Sequence, residues 1–157
     1  SSGLIIRWSG VQIPPGPLVR ATLTYCGQGL HFTGQSDSKH ALAFDSPEEV
    51  GGTDAAARPM EGLLLSMMAC FSADVVSILQ KKRKTLTAYQ LTAQADRAED
   101  FPKVFTAVRL HLTLRSPDAQ PADVERAIEL ARTKYCSAMA MFERAGCNIS
   151  ITYELQK

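Results

Sequence analysis

Two of the four cysteines in this 157-residue chain stand where a thiol could do chemistry. Cys70 lies in the middle of an apolar run, residues 58 to 84. Cys136 lies in the segment Lys134-Tyr135-Cys136-Ser137. A thiol reacts as its thiolate, so the question is what would stabilise negative charge on each sulfur. If Ser137 opens a helix, Cys136 sits near its N-terminus with Lys134 close by, and both features lower a thiol pKa. From the residues alone, Cys136 is expected to be the more acidic thiol. Cys70 has a bland reading as a small side chain that packs in a core. Asp74 comes one helical turn after Cys70 on the same face, and a carboxylate there disfavours a thiolate. Cys26 and Cys147 read as bystanders. There is no CxxC pair and no Cys/His cluster, and His31, His40 and His111 are spread along strands or turns. Neither a metal nor a cofactor is expected from that spacing.

The elements that must position these thiols are legible in the pattern. Residues 58 to 84 read as one helix. Pro59 suits a first helical position, Glu61 meets the positive end of the helix dipole, and Lys81, Lys82, Arg83 and Lys84 crowd the other end as a solvated terminus. Apolar residues between them occupy almost every face, which predicts a buried helix. Ser66, Ser72, Asp74 and Ser77 interrupt the run and argue against a membrane span. Before it, residues 19–26, 30–35 and 40–44 read as three strands, with a loop over 45–59. After it, residues 87–97 and 103–115 alternate with period two. In the second of these, Val104, Thr106, Val108, Leu110, Leu112 and Leu114 are expected on one face. A helix is expected from Pro121 to Lys134 with Val124, Ala127, Ile128 and Ala131 inward. A short helix ending at Gly146 and a last strand from Asn148 complete the chain. The order β-β-β-α-β-β-α-α-β indicates an α+β fold.

The length suits one domain, and 45% apolar residues can build a core. A net charge of +1 gives no electrostatic reason to expect nucleic acid or an anionic membrane as partner. Sparse cysteines suit a reducing, cytoplasmic compartment. Residues 1–17 read as a cloning-derived or translated upstream leader, with the domain running over 18–157.

The chain resembles the OsmC/Ohr family of thiol-dependent hydroperoxide peroxidases, in a divergent OsmC-like branch. The residues that carry the resemblance are Gly51-Gly52, then PMEGLLLSMMAC ending at Cys70, then DVVSILQKKR, the FPKVF strand entry, and Glu129-Leu130-Ala131 leading into Lys134-Tyr135-Cys136-Ser137. Their 66-residue interval matches Cys70 and Cys136 to the two family cysteines. The resemblance implies an OsmC-like fold, with an antiparallel sheet and a long buried central helix, in an intertwined homodimer. It implies that Cys70 is the peroxidatic thiolate toward an organic hydroperoxide and that Cys136 resolves the sulfenic acid as a disulfide. A dithiol reductant, of the lipoyl type in the family's best-known members, would reopen it. Met67, Met68 and Phe71 would form an apolar wall for an alkyl hydroperoxide, or plain core.

The chain also departs from the family pattern. The characterised peroxidases carry a carboxylate ten residues before the peroxidatic cysteine. Here Met60 holds that position and Glu61 stands one residue later. Glu61 is the candidate for the catalytic carboxylate, beside its simpler reading as a first-turn charge. The arginine that the family supplies from its N-terminal strands has no match among Gln28, His31 and Lys39; Arg20 and Arg58 lie elsewhere. These departures leave two other readings open: a non-catalytic dimer that binds a small apolar ligand, and a redox sensor that uses the same cysteine pair.

Overall fold

The structure is a computed structural model that describes residues 19–157; the leader expected over 1–17 lies outside the described residues. The chain divides into two compact units, with the boundary between Pro59 and Met60.

The first unit is an antiparallel meander of β1 (Ala21–Tyr25), β2 (Phe32–Ser36) and β3 (Ala41–Phe44). The loop after β3 is held by one side chain. Asp45 is 1% exposed and accepts four hydrogen bonds, from the Ser46, Thr53 and Ala55 amides and the Thr53 hydroxyl, at 2.6–3.1 Å. The loop folds back tightly enough that a Cβ on Gly52 would overlap the Ser46 carbonyl. That close approach explains why a glycine stands there.

The second unit is built on α1 (Pro59–Lys81), which packs on a three-stranded sheet in the order β4 (Ala88–Arg97), β5 (Phe105–Arg115), β6 (Asn148–Gln156). The antiparallel sheet that was expected is mixed here. β4 and β5 pair antiparallel, but β6 runs parallel to β5. The reason is the intervening crossover, α2 (Pro121–Leu130), a π-helical turn (Ala131–Tyr135) and α3 (Ser137–Arg144), which returns the chain to the same end of the sheet.

The core joins Met67, Phe71, Val75 and Leu79 of α1 to Val108, Leu110, Leu112 and Leu114 of β5, with Val124, Ala127, Met139 and Ile149 around them. Spacing by four puts the α1 residues on one stripe. Full burial within the chain is confined to that stripe, with Leu64, Met68 and Ile78 partly buried beside it, while Leu63 is 49% and Leu65 58% exposed. By length and composition α1 could cross a membrane, but its buried stripe serves this core.

Two local expectations change. The β5 alternation does not run through Val104 and Thr106. The register shifts opposite Asp96 and Arg97, so that Arg97 pairs with Phe105 and Asp96 with Ala107. The extra residue flips the phase. Phe105 therefore joins the core and stacks on Phe142 at 5.5 Å between centroids, while Thr106 is exposed. The basic end of α1 is also not simply solvated. Arg83 takes a left-handed conformation (φ 60°), and the Lys84 amide reaches back to the Leu79 carbonyl. This turn brings Lys82 and Lys84 to Asp123 of α2, at 2.6 and 3.4 Å.

Candidate functional site

α1 presents Cys70 and Asp74 one turn apart on the same side. Cys136 comes from the crossover. The helix that begins at Pro121 widens into the π-helical turn Ala131–Tyr135, and the chain then breaks at Cys136, which caps α3. π-helical turns commonly accompany functional positions, because the extra residue re-aims the side chains beyond it. The Cys136 amide donates to the Ala131 carbonyl at 2.8 Å, and the Met139 amide donates to the Cys136 sulfur at 3.3 Å. Across the break, the Arg132 guanidinium grips Glu143 of α3 at 2.9 Å. This clamp had no signature in the sequence, since the partners are eleven residues apart across an irregular turn.

The result is a compact group. The sulfurs of Cys70 and Cys136 and a carboxylate oxygen of Asp74 all lie within 4.8 Å of one another. Both thiols are free. The Oδ2 atom of Asp74 is buried and has no hydrogen-bond partner. The linear spacing held no metal-ligand pattern, yet the fold assembles three donor atoms.

The expected acidity of Cys136 is not found. Its thiol is pushed up to about 11, chiefly by burial; the Met139 amide works against the rise, and Cys70 and Asp74 add to it. Only 3% of Cys136 is exposed, so desolvation of a thiolate outweighs the helix N-terminus. Lys134 does not help, because its ammonium lies over the Tyr135 ring, 5.2 Å from the centroid.

Glu61 sits in the first turn of α1 and is exposed. Nine helical residues carry it about 13 Å along the axis and half a turn around from Cys70. The cysteine group does not include it. Of the cations considered for the missing arginine, Arg58 pairs with Asp54 at 3.0 Å, and the Arg20 amide donates to Asp37.

Two cavities adjoin these elements. One, of about 400 Å³, is bounded by Asp74, Ser77, Lys81, Arg126 and Tyr135. The other, of about 370 Å³, is almost wholly apolar and is lined by Leu63, Met67, Phe105, Met141, Phe142 and Cys147. Of the apolar wall foreseen around Cys70, Met67 and Phe71 are fully buried core and Met68 packs against them.

Comparison with known proteins gives the family of the chain. Residues 52–152 match the family described as OsmC-like protein. The chain is 38% identical over 128 residues to protein YhfA of Escherichia coli strain K12, covering 82% of this chain and 92% of that one. A solved structure from structural genomics is 35% identical, with a TM-score of 0.78, covering 87% of this chain and 98% of its own. An organic hydroperoxide resistance protein OsmC from Legionella pneumophila shares the fold at 15% identity and a TM-score of 0.62, over 88% of this chain and 97% of its own. With the family pattern spanning both candidate cysteines and most of the chain, the protein belongs to the OsmC-like family.

Proposed function

We propose that the protein is a thiol peroxidase for organic hydroperoxides, working through Cys70 and Cys136. The observation that supports this reading is the convergence of two free thiols, 66 residues apart in sequence, to within 4.8 Å. The Cys70 thiolate attacks the distal oxygen of R–O–O–H. The O–O bond breaks, Cys70 becomes a sulfenic acid, and the alkoxide takes a proton to leave as an alcohol. Cys136 then displaces hydroxide from that sulfur, its thiol proton joining the hydroxide as water, and an S–S bond forms. An external dithiol, of which a lipoyl group is one example, reopens the bond by exchange and is itself oxidised to a disulfide. Cys70 takes the first role because it is the more exposed of the pair and Cys136 resists ionisation.

The homodimer belongs to this reading. The exposed Leu63 and Leu65 on α1 give a second copy an apolar surface to cover. Glu61 is retained as the carboxylate that orients the peroxide, acting in an active site built from both subunits. The action is in the cytoplasm, against oxidative stress, without nucleic acid or membrane as partner.

Peroxide treatment of the reduced protein, with peptide mass spectrometry as the readout, is the test. A Cys70–Cys136 disulfide that a dithiol reverses is expected. Two free thiols, or over-oxidation without a disulfide, would sink the two-cysteine cycle.

The apolar cavity of about 370 Å³ supports a second reading, a dimer that binds a small apolar ligand without turnover. Sustained consumption of an organic hydroperoxide with a dithiol eliminates it.

A further inference from the structure

Asp74 is out of place beside a nucleophilic thiol. It brings a carboxylate oxygen within 4.8 Å of two sulfurs. Its Oδ2 is buried without a partner, which is costly unless something is meant to fill that position. Lys82 and Lys84 pair with Asp123, Arg126 pairs with Glu129, and Lys81 bounds the same cavity as Asp74, but among the described residues no cation lies within ion-pair distance of Asp74. Two thiols and a carboxylate thus converge with no cation paired to that carboxylate.

We propose that Cys70, Asp74 and Cys136 form a zinc site in the reduced protein. The donor set is the one Zn²⁺ accepts: two thiolates and one carboxylate oxygen, with a fourth position for water. Cys70 and Asp74 are an i, i+4 pair on a rigid helix, and Cys136 closes the group from the break between the π-helical turn and α3. With Zn–S bonds of about 2.3 Å, two sulfurs of a tetrahedral site lie about 3.8 Å apart. The group, already within 4.8 Å, needs only to contract. Binding oxidises nothing. Each thiol loses a proton to solvent, and Asp74 supplies its existing lone pair.

The consequence for the proposed cycle is exclusion. A zinc-bound Cys70 is not free to attack a peroxide, and a Cys70–Cys136 disulfide has no thiolates to offer the ion. Oxidation therefore ejects zinc, and zinc holds the protein reduced and idle. This exclusion rests on the peroxidase reading above; the metal site itself does not.

The test is a titration of the full reduced chain with Zn²⁺, under anaerobic conditions, against a chromophoric chelator. One ion per chain is expected, with a rise in thermal midpoint as zinc is added. Co²⁺ in its place should give a thiolate charge-transfer band and strong tetrahedral d–d absorption. Asp74→Asn should weaken binding at least about tenfold, with Cys70→Ser and Cys136→Ser weaker still, and Cys26→Ser unchanged. Absence of binding, a Co²⁺ spectrum without the thiolate band, or an Asp74→Asn protein that binds as tightly as the parent would overturn the proposal. The Co²⁺ spectrum of the parent decides the matter even if the variants fold poorly. Disulfide formation by peroxide is measured separately with chelator present, so loss of the zinc site and loss of the peroxidase cycle are told apart.

Discussion

Two aspartates, one in each unit, show what a buried carboxylate oxygen signifies. Asp45 is almost fully enclosed and saturated, with four donors on its two oxygens. Those bonds hold its carboxyl well below the usual carboxylate range, the Thr53 hydroxyl being the largest cause. Asp74 has a buried oxygen with no donor, and it faces two thiols. The first carboxylate organises backbone. The second keeps a buried oxygen without a donor beside two free thiols. One carboxylate has every buried lone pair answered by a donor, and the other leaves a buried oxygen without one.

That contrast can be broken or sharpened by substitution, and the largest effect belongs to the sulfur side. Cys70→Ser should reduce hydroperoxide turnover at least about a thousandfold while leaving the fold intact, read by a coupled dithiol assay and far-UV circular dichroism. Retained turnover would move the nucleophile elsewhere. On the scaffold side, Gly52→Ala should destabilise the protein by about 3 kcal/mol or more, because the added Cβ meets the Ser46 backbone and not a movable side chain. The urea midpoint reads this directly. An unchanged midpoint would mean that the Asp45 loop tolerates opening.

The two aspartates should then separate on one substitution. Asp45→Asn places donors opposite donors and should lower the thermal midpoint clearly, whereas Asp74→Asn should leave it nearly unchanged. Equal losses would erase the distinction. Asp74→Asn should instead act on the thiol. With chelator present, removing the charge should lower the Cys136 thiol from about 11, seen as faster alkylation at a fixed alkaline pH.

The smallest effect is in acid. The folded Asp45 carboxyl titrates below its unfolded value of 3.8, so the folded state binds fewer protons than the unfolded one. Its stabilisation is complete above that value and is lost as pH falls through the folded value. Asp123, held low chiefly by Lys82, titrates in the same direction. Asp45→Asn should therefore flatten only part of the acid limb of the stability curve. An unaltered limb would show that Asp45 does not titrate with unfolding.

Much of the fold is readable because it depends on local periodicity. The α1 start at Pro59, the α2 face of Val124 and Ala127, and the order of elements come from side chains spaced for one helix or strand. The β5 phase at Thr106 is not readable, because a bulge is decided by the partner strand and leaves no mark in the strand itself. The parallel pairing of β6, by contrast, follows from the helical crossover already present in the order of elements. Half of the site is readable as well: Cys70 and Cys136 stand out by position. The acidity of Cys136 is not, because a helix N-terminus is a local feature whereas desolvation is set by neighbours from the rest of the chain.

The amino-acid sequence by itself determined the elements, the two candidate thiols and the family pattern that links them. Only the tertiary structure decided that Asp74 joins those thiols, that Glu61 stands apart from them on the same helix, and that burial pushes the Cys136 thiol up. The physical reason is range. Hydrogen-bonded periodicity acts over a few residues, while the electrostatics of a buried sulfur depend on every group that folding brings within a few ångströms.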